Sequence, residues 1–293
     1  MSSPPTPSDS SHTASYDWTS PEGLEHLKTL VQKHLPFEPR QFQLYDSACI
    51  LNGRDVFCIT ATGDGKSALV YIPALARPDM ITIVVEPTNA LESDLAASLR
   101  QKGVTSVAIN AETLKEAAEA NPKRDLWREA RECRYQVITT SPENLKGVEF
   151  HKLIEDKTFR ARWRVLAADE AHLVDQWGAD FRKAYADIWT LRSRGPEHLT
   201  ILAMSASVEK GRQFDQIVRC LGFCEGTYHL DKRDCERRNV HLIFREARYA
   251  YTGHAFRDLD WLVPEKMSRP SDLKKWIIYC DTIEQGHRVT QYL

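Results

Sequence analysis

The sequence predicts an α/β domain with a mostly parallel sheet and helices on both faces. Six short apolar runs are each followed by a polar turn and a helix-like stretch. The runs are apolar throughout rather than alternating, which is typical of strands buried on both faces and joined by helical crossovers. They lie at residues 56–59, 81–85, 106–109, 136–139, 165–168 and 200–204.

The composition is that of a globular protein. Of 293 residues, 42% are hydrophobic and 27% charged, and no apolar run approaches the length of a membrane span. We therefore expect no membrane segment, and the polar first residues predict no signal peptide. The net charge of −2 gives no global basic footprint for nucleic acid, although a local groove can still be basic. Seven scattered cysteines indicate free thiols, and Cys220, Cys224 and Cys235 lack a fourth metal ligand at finger-like spacing.

The chain divides into four predicted parts. Residues 1–23 are rich in Ser, Thr and Pro and are predicted to be a disordered tail. Residues 24–228 form the α/β domain and begin with helices at 24–35 and 40–51. Residues 229–268 form a connector that holds a possible strand at 240–244 and a short helix at 255–263. Residues 269–293 are predicted to contain the first strand and the first helix of a second α/β unit, at 276–280 and 284–293.

A glycine-rich loop follows the first apolar run and precedes a helix-like segment. Its glycines allow backbone N–H groups to point at phosphate oxygens, and the following helix N-terminus adds a positive dipole end. Lys66 can reach the outer phosphates, and Ser67 can ligate Mg²⁺. A surface turn would explain the glycines but not the Lys-Ser pair. The predicted nucleotide-binding residues of this loop are Thr62, Gly63, Asp64, Gly65, Lys66, Ser67 and Ala68.

Two adjacent acids, Asp169 and Glu170, end the buried run at 165–168. In a phosphate-loop fold, Asp169 would hold Mg²⁺ and Glu170 would polarise the water that attacks the γ-phosphate. We therefore predict Lys66, Asp169 and Glu170 as the catalytic residues, with ATP and Mg²⁺ as cofactors. A solvated turn would also place two acids here, but not opposite a Lys-Ser phosphate loop. Adjacent Asp-Glu also suits water activation better than the phosphate transfer of a kinase.

The order of these motifs resembles superfamily 2 helicases, and the strongest local match is to the RecQ family of DNA helicases. The segment Phe37-Glu38-Pro39-Arg40-Gln41 resembles the family's F-x-P-x-Q motif, whose glutamine reads adenine. The resemblance therefore implies that Gln41 reads the base, and Gln43 is out of register with the motif. Thr60 departs from the glycine that opens the phosphate-loop pattern. The fold implied is a RecA-like domain followed by the start of a second one.

The same resemblance implies contacts with nucleic acid. Thr88, after the second run, and Ser141, after the fourth, match family segments that approach the strand backbone. The aromatic-rich loop of RecQ proteins is matched at every fixed position, and its predicted DNA-contacting residues are Gln176, Trp177, Phe181 and Arg182. Flat aromatic faces suit unstacked bases, although Trp177 and Phe181 at helical spacing could instead pack in a core. The residues implied to couple hydrolysis to strand movement are His172, Ser205 and Ser207.

Taken together, the resemblance implies an ATP-dependent DNA helicase moving 3′ to 5′, in the nucleus, acting on single strands and duplex junctions. The arginine-containing motifs of the second motor domain do not occur in these 293 residues. The prediction is that this chain alone hydrolyses ATP poorly and that a partner protein or chain segment supplies that domain. Two alternatives stay open, a catalytically incomplete binding module and an RNA helicase, because the Asp-Glu-Ala-His tetrapeptide also occurs in RNA helicases.

Overall fold

The computed structural model describes residues 16–173, 190–236, 240–250, 253–263, 269 and 275–293. The chain forms two compact units, Met1–Arg237 and Arg238–Leu293. No helix among these residues has the length and apolar character needed to cross a bilayer.

A seven-stranded sheet, parallel at every pairing, forms the centre of the first unit. The strands lie in the order β3-β4-β2-β5-β6-β1-β7. The predicted α/β fold is confirmed, and the six predicted runs all form strands. The strands are β1 (Val56–Ile59), β2 (Ile81–Val85), β3 (Ser106–Ile109), β4 (Val137–Thr140), β5 (Trp163–Ala168), β6 (Thr200–Ser205) and β7 (His229–Lys232).

Helices cover both faces of this sheet. The helices are α1 (Pro21–Gln32), α2 (Gln41–Leu51), α3 (Ala68–Ala76), α4 (Asn89–Gln101), α5 (Ala111–Glu119), α6 (Leu126–Arg131), α7 (Val148–Glu155), α8 (Lys157–Arg162) and α9 (Arg212–Cys220), with a 3₁₀ helix at Pro142–Lys146. Alternate strand residues enter two separate apolar cores, as a period of two requires. Val56 and Cys58 face the core under α1 to α3, whereas Phe57 and Ile59 face the core under α7 to α9.

The amino-terminal boundary differs from the prediction. Residues 1–15 lie outside the described part, but residues 16–23 are ordered rather than a disordered tail. Trp18 is buried in the core, and its backbone N–H donates to Asn52 Oδ1 at 3.0 Å. Asn52 Nδ2 donates to Asp17 Oδ1 at 2.8 Å. One large aromatic group and a few local hydrogen bonds therefore order a segment whose average composition predicted disorder.

The carboxyl-terminal boundary predicted for the α/β domain, residue 228, is also wrong. Strand β7 pairs with β1 from Val56 opposite His229 to Ile59 opposite Lys232, so the sheet extends into the predicted connector. Its polar composition hid it from the sequence analysis. As an edge strand it is only partly covered, and a run of polar residues is tolerated there.

The second unit contains a 3₁₀ helix, Arg257–Leu262, and a helix α10, Ile283–Tyr292. The predicted helices at 255–263 and 284–293 are thus found. The strands predicted at 240–244 and 276–280 are not, because described residues 240–244 and 275–280 make no ladder. A strand needs a partner for its backbone groups, and the described part of this unit offers none. Ile277 and Tyr279 are accordingly 80% and 90% exposed.

An ion pair between exposed Arg124 and buried Glu129 gives the first unit a predictable acid sensitivity. Arg124 donates to both carboxylate oxygens of Glu129, from Nε at 3.0 Å and Nη2 at 2.6 Å, and Tyr135 also hydrogen-bonds to this carboxylate. These hydrogen bonds, first that of Arg124, lower the pKa of Glu129 to about 2. The folded state therefore favours the carboxylate, and this stabilisation is lost as the pH falls from the unfolded-state pKa towards 2.

We expect Glu129→Gln to lower the free energy of unfolding at neutral pH by about 2–3 kcal/mol. We also expect it to flatten the dependence of that free energy on pH below about 4.5. Urea unfolding at neutral and acidic pH measures both effects. Glu116→Gln, which changes an exposed acid on α5, should leave the pH dependence unchanged. Parallel pH profiles for the Glu129 variant and the native chain would contradict the assignment.

Candidate active site

The glycine loop lies between β1 and α3, at the carboxyl edge of the sheet. Gly63 and Gly65 have φ values of 91° and 84°, in the left-handed region that favours glycine. The backbone N–H of Thr60 donates to Ser205 O at 3.0 Å, which fixes the start of the loop to the end of β6. Ser67 immediately precedes the first residue of α3. The loop thus has the conformation that anion-binding helix N-termini require.

Asp64 holds this loop in place. Its Oδ2 accepts a hydrogen bond from Thr60 Oγ1 at 2.6 Å, and its Oδ1 accepts one from Arg40 Nη1 at 2.7 Å. The bond from Thr60, followed by that from Arg40, holds the pKa of Asp64 below its usual range. The loop is therefore tied both to its own first residue and to the residue that precedes α2.

Gln43, which the sequence analysis set aside, contacts the loop directly. It is 5% exposed, and its Nε2 donates to Gly65 O at 3.0 Å and to Asp64 O at 3.3 Å. Its Oε1 accepts a hydrogen bond from the backbone N–H of Arg40 at 2.9 Å. Gln41 is exposed and makes no side-chain hydrogen bond to the described residues, so its role in reading adenine stays a prediction. A glutamine three residues after a helix N-cap was the signal for Gln43.

Lys66 stands at the end of the loop. Its Nζ donates to Thr60 O at 3.2 Å and lies 3.5 Å from Ala61 O. Its charge also lowers the pKa of both Asp169 and Glu170. The lysine and the two acids therefore lie at one edge of the sheet, although β6 separates their strands. Ala68 is buried as the first residue of α3, whereas Thr62 is exposed at the top of the loop.

The two predicted catalytic acids follow β5 in a tight turn. Glu170 has φ of 46°, and its backbone N–H donates to Asp169 Oδ1 at 2.8 Å. Desolvation raises the pKa of Asp169 to about 6, whereas a hydrogen bond from His172 lowers the pKa of Glu170. When their surroundings give two neighbouring carboxyl groups different pKa values, the two groups commonly have different roles in an active site. Here Glu170 is the group held as a carboxylate.

A short polar chain connects Glu170 to β6. His172 Nδ1 lies 3.2 Å from Glu170 Oε2 and 3.0 Å from Ser205 Oγ. The backbone N–H of Ser207 donates to the same Ser205 oxygen at 3.2 Å. Ser205 thus contacts both other predicted coupling residues, and His172 also contacts one of the acids. A shift of the segment after β6 would change the hydrogen bonding of Glu170 through a single intervening side chain.

Glu86 is a third acid at this edge that the sequence analysis missed. It follows β2, is 2% exposed, and its Oε2 has no hydrogen-bond partner among the described residues. Burial and then the charges of Asp169 and Glu170 raise the pKa of Glu86 well above its ordinary range. The available signal was an acid directly after the apolar run at 81–85, where the chain enters the active-site edge.

The donor atoms at this edge suit a magnesium ion. Ser67 offers a hydroxyl oxygen and Asp169 a carboxylate oxygen, and Mg²⁺ binds proteins through one or two such oxygens while phosphates and waters complete its shell. Asp169 is half-buried at the strand end, where the turn after β5 begins. These two residues fit the predicted metal role.

The predicted nucleic-acid residues are only partly described. Thr88 is exposed and caps α4, accepting a hydrogen bond from Leu91 N at 3.4 Å. Ser141 is half-buried and directly follows β4. Because β2 and β4 are paired, both residues lie at the same edge of the sheet as the glycine loop. The predicted contacts Gln176, Trp177, Phe181 and Arg182 lie outside the described residues.

A family model described as DEAD/DEAH box helicase matches residues 40–214, which span the glycine loop, the two acids and β6. The chain belongs to this family. This DEAD/DEAH box helicase is 27% identical over 274 residues to the ATP-dependent DNA helicase RecQ of Haemophilus influenzae, covering 93% of the chain and 40% of the relative. It is 29% identical to the ATP-dependent DNA helicase Q-like 4B of Arabidopsis thaliana, covering 72% and 18%. The predicted resemblance to RecQ helicases is confirmed.

The solved structure of the DUF1998 helicase MrfA bound to DNA and AMPPNP shares the fold of this helicase. The TM-score is 0.53 at 16% identity, covering 72% of this chain and 29% of that one. The chain thus spans less than half the length of these relatives.

The two glutamines of this helicase should have separable effects on nucleotide binding. Gln43→Ala removes the hydrogen bonds to the loop, so we expect ATP and GTP affinities to fall together, by about fivefold to thirtyfold. Gln41→Ala should weaken ATP alone, because the predicted role of Gln41 is to read the base. Titration with fluorescent ATP and GTP analogues measures both variants. The assignment fails if Gln43→Ala lowers ATP affinity and leaves GTP affinity unchanged.

Proposed function

We propose that this chain is the nucleotide-binding part of an ATP-dependent DNA helicase of RecQ type that moves 3′ to 5′ along single-stranded DNA and unwinds duplex junctions. The observation that carries the proposal is the convergence of the Lys66 loop with Asp169 and Glu170 at one sheet edge. The names of the RecQ-type relatives support DNA rather than RNA as the substrate. The activity of the whole protein is part of this proposal, as is a nuclear location.

In the proposed mechanism, the loop amides and the N-terminus of α3 bind the phosphates, and Lys66 leaves its two carbonyl partners for the γ-phosphate. Ser67 and Asp169 would hold Mg²⁺, which supplies neutralisation of phosphate charge. Glu170, kept ionised by its contact with His172, orients the attacking water and accepts its proton. Gln41 reads the adenine.

The DNA strand is proposed to run over Thr88, Ser141 and the loop with Trp177 and Phe181, where aromatic faces stack on bases. Changes at the bound nucleotide would be transmitted to the DNA strand through His172, Ser205 and Ser207. The supporting geometry is the pair of contacts that His172 Nδ1 makes, one to Glu170 and one to Ser205. Loss of the γ-phosphate would change the partners of Glu170 and, through His172, those of the β6 end.

We expect Lys66→Ala to abolish nucleotide binding, because Lys66 is the only basic residue in loop residues 60–67. Equilibrium titration of the chain with a fluorescent ATP analogue measures this directly. Lys115→Ala, which changes an exposed lysine on α5, is the matched control and should bind like the native chain. Nucleotide affinity within about twofold of native in Lys66→Ala would exclude this site.

A second candidate function is a nucleotide- and DNA-binding module with slow hydrolysis. It is favoured by the second unit, where described residues 275–280 are largely exposed and form no strand. Steady-state ATP hydrolysis with single-stranded DNA, single-stranded RNA or neither distinguishes the candidates. Turnover stimulated by DNA supports the motor. Stimulation by RNA alone supports an RNA helicase, and tight DNA binding without turnover supports the binding module.

A further inference from the structure

Three side chains that commonly bind metals converge under α2, away from the acids of the nucleotide site. Asp46 on α2, Cys58 on β1 and Asp231 on β7 place their ligand atoms within 4.8 Å of one another. The parallel register explains part of this, since Cys58 lies directly opposite Asp231. Helix α2 crosses this face of the sheet and contributes Asp46 from above. Three separate elements therefore supply one cluster.

His229 lies beside this cluster and supports one of its carboxylates. It precedes Asp231 by two residues on β7, so both side chains lie on the same face of the sheet. His229 Nε2 is 3.1 Å from Asp46 Oδ1, and the imidazole packs edge-on against Tyr45 with ring centres 5.2 Å apart. A hydrogen bond from outside the cluster orients the Asp46 carboxylate, as second-layer partners of metal-ligating carboxylates commonly do.

A second observation points to a missing cation. Asp46 is 1% exposed, yet its Oδ2 has no hydrogen-bond partner among the described residues. Asp231 Oδ2 likewise has no hydrogen bond from the described residues, and Arg233 Nη1 lies 3.9 Å from it. An unsatisfied buried carboxylate oxygen is costly, because water is lost and nothing replaces it. A metal ion between the two carboxylates would satisfy both oxygens.

We propose that Asp46, Cys58 and Asp231 bind one zinc ion, with a water molecule as the fourth ligand. The donor set combines a thiolate with two carboxylates, which suits Zn²⁺, whereas Mg²⁺ prefers oxygen alone and keeps several waters. On binding, the Cys58 thiol releases its proton to solvent and the sulfur lone pair forms the metal bond. The three ligands come from α2, β1 and β7, so the proposed role of the ion is to hold these elements together.

The proposed zinc ion would also affect the nucleotide site, through helix α2. The ion would fasten α2 to β1 and to the edge strand β7. The same helix begins at Gln41 and carries Gln43, whose side chain contacts the glycine loop. Zinc would thereby fix the position of the start of α2 relative to the glycine loop that follows β1. The proposal does not depend on helicase activity, because the cluster and its open oxygens are independent of the nucleotide.

Cobalt substitution tests the proposal. The purified chain is stripped of metal by chelation and titrated with Co²⁺, whose absorption reports both tetrahedral geometry and bonding to a thiolate. We expect one ion per chain, a thiolate-to-cobalt charge-transfer band, and displacement by Zn²⁺. Cys58→Ser should abolish the band and weaken Zn²⁺ binding by at least about 100-fold. Cys49→Ser removes another buried thiol, on α2 itself, and should leave the band intact.

Absence of stoichiometric binding would overturn the proposal, as would a charge-transfer band that survives in Cys58→Ser. Circular dichroism checks the fold of each variant. If Cys58→Ser does not fold, Asp231→Asn on the edge strand decides, since its side chain is partly exposed. Native Zn²⁺ affinity in that variant counts against the site, and a loss of 10-fold or more supports it. These readouts contain neither ATP nor DNA, so they are separate from the test of the proposed function.

Discussion

The active site depends on one constraint, that the carboxyl ends of parallel strands meet at the same edge of the sheet. Residues about a hundred positions apart, Lys66 after β1 and Asp169 after β5, reach one another because β6 alone separates their strands. The β6 end is itself part of the assembly, since Ser205 accepts from Thr60 and contacts His172. A register slip in any of these three strands would separate the cation from the acids.

The same edge concentrates negative charge to an unusual degree. The charges of Asp169 and Glu170 raise the pKa of Glu86, and the charge of Glu170 raises that of Asp169, whereas Lys66 lowers the pKa of both Asp169 and Glu170. Glu170 is also held in a left-handed backbone conformation that most residues avoid. Charge repulsion and backbone strain at one turn give a site that is stabilised when a cation or a polarised ligand enters. The fold supplies the free energy for this through its two large apolar cores.

The sequence predicted the sheet well, because strands buried on both faces are apolar without interruption. The predictions failed for a strand that is only partly buried and for a segment that a few specific contacts hold in place. Strand β7 was missed because its edge position tolerates His229, Asp231 and Lys232. The ordered segment before α1 was missed because one buried aromatic residue and a few hydrogen bonds anchor it. The loop and the acids were found from local patterns, but Gln43 and Glu86 gain their roles from elements distant in sequence. A local pattern marks the positions of these two residues but does not show which distant elements they contact.

The contacts of Lys66 also affect the kinetics of nucleotide binding. Its ammonium group is already engaged by two carbonyl oxygens of its own loop, Thr60 O and Ala61 O. An incoming triphosphate must therefore compete with an internal arrangement rather than meet an exposed charge. Association would then proceed through an encounter followed by an isomerisation of the loop, and its observed rate would reach a plateau at high ligand concentration instead of rising in proportion.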